Sequence, residues 1–221
     1  MQRAHRSLRP ARLIGIGLLV VLVVAMVLNT KFLNPEELAA AGPVKFDPKA
    51  TADELFTKAK AELPDKASEV GEVVPAMQAD TKAAAEKYKA VSPAEGAYVF
   101  PVKTTATVID ATDANLRLKV SGVPEETPVI VPLTTAINGT VVRDAMGFKF
   151  ADAPGQTDYQ YVGDELKKLM QADIKSEIPD PAALKGKKVT VVGAIGVIGA
   201  GTSVPKPKPV NIQPVSIKEA S

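Results

Sequence analysis

The 221 residues include no cysteine, no tryptophan and one histidine, and only 5% of the side chains are aromatic. Without cysteine there is no disulfide, no thiolate metal site, no cysteine nucleophile and no thioether-linked lipid. The single histidine, His5, stands before the one long apolar run, so the chain beyond that run has no histidine for a triad or a metal cluster. A mildly acidic remainder without a basic and aromatic stripe offers no platform for stacking bases, so nucleic acid is not expected as a partner. No catalytic residues, metal site or cofactor are expected. Scattered carboxylates such as Asp110, Asp113, Glu125 and Glu126 have no diagnostic spacing and read as solvated turn residues.

The formal charge of +2 includes Arg3, Arg6, Arg9 and Arg12, which all precede the apolar run at 13–28. That run makes about 24 Å of helix at about 1.5 Å per residue. Basic residues ahead of it and none within it predict a cytoplasmic basic tail over 1–12 and a transmembrane anchor over 13–30. The main domain is then extracytoplasmic, on a single-pass protein of the cytoplasmic membrane held through residues 13–30. A cleaved signal peptide and a buried core helix are the alternatives.

Asn34-Pro35, Gly42-Pro43 and Asp47-Pro48 interrupt regular structure over 31–50, which reads as a membrane-proximal linker. A helical subdomain is expected over 51–92. Thr51 and Glu54 have the form of a capping box, and Leu55, Phe56, Ala59 and Leu63 share one helix face up to a stop at Pro64. A second helix over 65–91 is expected to break at Pro75. From 93 to 221 β-branched residues dominate. Strands are predicted over 98–110, 115–120, 128–133, 187–194 and 210–217, with a brief one at 148–150 and a helix over 161–174. Asn138-Gly139 is either a turn or the start of a strand that continues to Arg143. Glycines at 193–201 and prolines at 203–209 make a flexible, then stiff, connection. The fold class is α+β: an N-terminal transmembrane helix, a helical subdomain and an OB-like β-barrel α/β subdomain.

The segment Val141-Val142-Arg143-Asp144-Ala145-Met146-Gly147-Phe148-Lys149-Phe150, followed by Gln156-Thr157-Asp158-Tyr159-Gln160-Tyr161-Val162-Gly163, resembles the DUF2291 family of predicted periplasmic proteins. In that family an Arg-Asp-Ala-x-Gly segment leads through a short aromatic strand to a polar Asn-Gln stretch and a helix; here Gly155 and Gln156 take the place of that stretch. Gly186-Lys187-Lys188-Val189 and Ile212-x-Pro214-Val215 extend the likeness. The resemblance implies an exported, membrane-attached protein with a helical subdomain beside an OB-like one. Its members are described as lipoproteins and tend to be encoded beside sugar-uptake ABC transporters. This chain departs from the lipoprotein description, having no cysteine to carry lipid.

Arg143, Asp144, Gln156, Asp158, Tyr159 and Tyr161 are the candidate ligand or partner surface. Arginine donates two parallel hydrogen bonds to a carboxylate or phosphate. In a strand Arg143 and Asp144 point to opposite faces; if the backbone turns at Asp144, they meet around Gly147. The plainer reading pairs Arg143 with a carboxylate such as Asp158 and uses Asp144 as a loop cap. Gln156, Asp158, Tyr159 and Tyr161 suit the rim of a sugar or protein site, or a helix cap with half-buried rings. The function expected is a membrane-anchored extracytoplasmic accessory module, associated with the ABC transporter subunits or solute-binding protein of a sugar-type uptake system. An extracytoplasmic small-molecule-binding module is the alternative, and an enzyme working by carboxylates alone comes third.

Overall fold

The uninterrupted apolar run at 13–28 lies within a helix, α1 (Pro10–Asn29). The computed structural model describes residues 10–29, 46–198 and 209–220, with side chains in the first segment from 15 to 28. The chain divides into two units, Met1–Lys45 and Phe46–Ser221. Residues 1–9, 30–45 and 199–208 lie outside the described residues, and with them most of the tail expected over 1–12, most of the linker expected over 31–50 and most of the glycine- and proline-rich connection.

Within the first unit the expectation of a membrane-crossing helix is corrected. Among the described residues no helix is long and apolar enough to cross a membrane. The transmembrane anchor over 13–30 therefore falls. With it go the membrane as a partner through those residues, the single-pass localisation with the N-terminus inside, and the membrane-anchored accessory role beside an ABC transporter or its solute-binding protein.

The second unit begins with a cap. Asp47 Oδ1 accepts from the Lys49 and Ala50 amides at 2.9 and 3.1 Å, and Pro48 at the first helical position has no amide to leave unpaired. Helix α2 (Pro48–Lys66) thus starts three residues before Thr51. It also runs two residues past Pro64, although that residue has no amide to donate to the Lys60 carbonyl. Ala52, Phe56, Ala59 and Leu63 form its buried face. After β1 (Ser68–Glu69) come α3 (Val70–Ala79) and α4 (Thr81–Lys87). Their break is at Asp80, not at Pro75. The Asp80 amide closes α3 on Ala76 O at 2.9 Å, and its Oδ1 opens α4 by accepting from Ala83 N at 3.0 Å.

Strand β2 (Val91–Ala94) turns at Gly96, which has a left-handed φ of 72°, into the central strand β3 (Ala97–Ala111). β3 pairs antiparallel with β4 (Asn115–Lys119) on one side and with β6 (Lys188–Ile198) on the other. β5 (Val129–Pro132) joins β4, and β8 (Gln213–Glu219) joins β6. β7 (Val210–Asn211) lies parallel to β5, and Ile212 alone separates it from β8. The order β7-β5-β4-β3-β6-β8 therefore curls until both ends of the sheet belong to one C-terminal segment. That is an OB-like half-barrel in an α+β fold.

The chain crosses from β5 to β6 through α5 (Gly139–Ala145) and α6 (Gln156–Glu177). Val162, Leu166, Met170 and Ile174, four residues apart, bury one face of α6. Lys60 of α2 reaches Asp173 of α6 at 2.7 Å and Glu177 at 3.6 Å, while Glu177 Oε2 accepts from the Ile217 amide of β8 at 3.0 Å. One core runs beneath these helices, with Leu63, Val70, Phe100, Leu116, Leu166 and Ile217 all but fully buried.

Candidate functional site

Asn138-Gly139 neither turns a hairpin nor starts a strand. Asn138 Oδ1 accepts from the Thr140 amide at 3.1 Å and the Thr140 hydroxyl at 2.7 Å, so the same side-chain chemistry that favours turns caps α5. At the other end Gly147, at φ 76°, donates to Asp144 O at 2.9 Å, and Phe148 donates to Arg143 O at 3.3 Å. This pair of bonds is a Schellman closure, which needs a residue free to adopt the left-handed conformation. The short strand expected at 148–150 is accordingly absent; the chain is already turning, and Phe150–Asp152 is a single 3-10 turn.

In the last turn of a helix 143 and 144 diverge by about 100° instead of the roughly 180° of a strand, and the long arginine side chain reaches its neighbour. Arg143 Nε and Nη2 donate to Asp144 Oδ1 at 2.9 and 2.8 Å, and Nη1 donates to the Tyr159 backbone oxygen at 2.8 Å. The guanidinium also lies over the Tyr159 ring, whose hydroxyl donates to Asp144 Oδ1 at 3.1 Å. Phe148 stacks on Tyr159 with centroids 6.0 Å apart, Phe46 on Phe148 at 6.5 Å, and Phe150 meets Tyr159 edge-on at 5.7 Å. Burial first, and then the Asp144 carboxylate, raises the Tyr159 phenol above its ordinary value, against the opposing charge of Arg143.

Of the six candidate residues, then, Arg143, Asp144 and Tyr159 form one cluster. Arg143 is only 5% exposed, and its donors are engaged within the protein. Its carboxylate partner is Asp144. Asp158 lies in the first turn of α6, where a negative charge suits the helix dipole. Gln156, the first residue of α6, and Tyr161 are exposed. That helix starts five residues earlier than its apolar pattern suggests, because its first turn faces solvent and the Arg143 cluster instead of the core.

A concave site lies elsewhere, on the outer surface of the barrel. β4 alternates Leu116 and Leu118 into the core with Arg117 and Lys119 outward. The β3–β4 register slips between Val108 and Asp110, and Ile109 at this bulge is 42% exposed. The loop over 120–128 folds back beside them. Gly122, at φ 85°, packs so closely on Gly71 of α3 that neither position has room for a Cβ. Thr127 is tied to the core by the buried Gln78, whose Nε2 donates to its hydroxyl at 3.0 Å. The result is a cleft of about 330 Å³ lined by Ile109, Arg117, Lys119, Val123, Glu125 and Thr127 with their neighbours on β4 and β5.

Lys119 pairs with Glu125 at 3.2 Å, and Asp110, opposite Arg117 in the register, is held by Lys185 at 3.3 Å. Among the described residues Arg117 has no ion-pair partner. Sequence reasoning missed this cleft. The alternation of β4 did place Arg117 and Lys119 on one face, but nothing local announced the bulge at Ile109 or the loop folded over it. Among the described residues no group of three histidine or carboxylate side chains is placed to hold a metal ion.

A family model described as "Predicted periplasmic lipoprotein (DUF2291)" matches residues 18–218. The crystal structure of an OB-fold protein from Thermotoga maritima MSB8 superposes with a TM-score of 0.65 at 17% identity, covering 80% of this chain and 100% of that one. At that identity the likeness shows the fold alone. No curated protein matches the chain.

Proposed function

The chain belongs to the DUF2291 family, and from that membership we propose that its folded unit is an extracytoplasmic module binding a small molecule on the outer face of its OB-type barrel. The family description supports the compartment. The observation that carries the binding role is the cleft over β4, about 330 Å³ of concave surface with apolar walls and a few convergent polar groups. OB barrels commonly bind on the face of their second and third strands, and β4 and β5 hold those places counted from β3. That analogy raises the expectation without assigning a ligand. The cleft's walls are pre-formed: its floor is a sheet, and its loop is fixed by the Gly71–Gly122 approach and the Gln78–Thr127 bond.

A library of small metabolites screened against the full chain by ¹H–¹⁵N correlation spectra tests the reading. Saturable shifts gathered on residues 117–129 support it. A library that produces none, or shifts only elsewhere, overturns it.

A further inference from the structure

Resting on that reading, the chemistry of the cleft points further: we propose that it selects a small amphipathic anion, an apolar body carrying one carboxylate. The groups facing it are unequal in kind. Arg117 is a free cation among the described residues, two positions along the strand from Lys119, so both project from the same face about 7 Å apart. Thr127 already accepts a hydrogen bond from Gln78, which leaves its hydroxyl proton available as a donor.

Among the described residues the one acidic side chain in the lining is Glu125, and its side chain is 87% exposed. An ion pair so exposed is weak. Its position beside Lys119 marks where a ligand carboxylate is accommodated, and that ligand displaces Glu125 into water. Arg117 presents the planar fork that matches a carboxylate with two parallel hydrogen bonds.

The rest of the lining is apolar: Ile109, Val123, Pro124, Pro128 and Val129 close around the charged edge. A bare inorganic anion leaves that surface wetted, and a neutral apolar molecule leaves the cations without a partner. A cleft of about 330 Å³ stands at the lower end of the range for small-molecule sites. It suits a single ring or a short chain beside the carboxylate.

The test compares three probes on the full chain by ¹H–¹⁵N titration: 3-phenylpropanoate, its neutral counterpart 3-phenylpropan-1-ol, and inorganic phosphate. The expected result is shifts at residues 117–129 with the carboxylate bound roughly tenfold tighter than the alcohol, a preference of about one bidentate charge-assisted contact, and phosphate weaker than both. Arg117→Gln abolishes that preference, and Lys119→Gln reduces it. Equal binding of acid and alcohol in the cleft overturns the anion selectivity and leaves the binding module standing. Phosphate binding as tightly as the carboxylate overturns the amphipathic ligand. No shift in the cleft from any of the three overturns the inference, and the metabolite library then decides separately whether the binding reading falls with it.

Discussion

The Arg143 guanidinium carbon lies 3.5 Å from the centroid of the Tyr159 ring, while Nη1 of the same group donates to the Tyr159 backbone oxygen at 2.8 Å. One side chain thus holds both the ring and the main chain of the first turn of α6 against the last turn of α5. Replacing it with methionine leaves Asp144 partly buried without its cation. The expected loss is roughly 3 kcal/mol. Arg143→Lys keeps the charge but not the planar fork, and the expected loss is smaller, on the order of 1–2 kcal/mol. Urea unfolding midpoints measure both, and equal losses would contradict the importance of the fork.

Tyr159 gives a pH dependence whose direction follows from its surroundings. Burial and the Asp144 charge raise the folded phenol above 10.0. The unfolded chain releases that proton near the ordinary value, about 10. Between the two values the unfolded state holds fewer protons, so stability falls as pH rises. The contribution is complete below about pH 10 and is lost as pH climbs through the folded value. Tyr159→Phe should cost about 1 kcal/mol at pH 8 through the lost bond to Asp144, and its deficit should narrow by pH 11. A deficit that does not change over that range contradicts the raised phenol.

Helices α5 and α6 cross at two glycines. A Cβ at Gly139 would collide with Gly163 O and the Lys167 amide, and one at Gly163 would meet the Thr140 methyl at 2.7 Å. The obstacles differ in kind, since backbone cannot yield and a methyl can. Gly139→Ala should therefore destabilise by about 2–3 kcal/mol, and Gly163→Ala by roughly 1. The order of thermal midpoints checks the claim.

Gln78 is 3% exposed, and its Oε1 has no hydrogen-bond partner among the described residues. Its Nε2 donates to the Thr127 hydroxyl at 3.0 Å. Gln78→Met alone removes the orphaned oxygen but strips Thr127 of its partner, and Thr127→Val alone leaves the whole amide unpaired. The double variant should be close to wild type, while Thr127→Val should cost about 2 kcal/mol. A double-mutant cycle in chemical denaturation measures the coupling, and additive losses would overturn it.

How much of this the chain announced differs from element to element. The long strand at the centre of the sheet was readable because fifteen residues of β-branched and alternating character sit in one stretch, and β4 was readable from Leu116, Leu118 and Val120. The helix at 139–145 was not. Val141 and Val142 favour strands by local preference, and only burial against α6, with an asparagine cap and a glycine closure, overrides it. Pro75 looked like a break, yet α3 continues through it because tertiary packing of Val70, Val73, Val74 and Met77 holds both sides.

Composition, order and short-range periodicity are local properties of a chain, so the family, the strand-rich C-terminal part and the exclusion of cysteine chemistry were legible in residue order alone. Packing in three dimensions turned Arg143 inward to Asp144 and Tyr159 and gathered Arg117, Lys119, Ile109 and Thr127 into one cleft. The partners in that cleft come from a bulge, a strand face and a loop pinned by Gly71, and distances between side chains so far apart in sequence are set by packing, which no local pattern encodes.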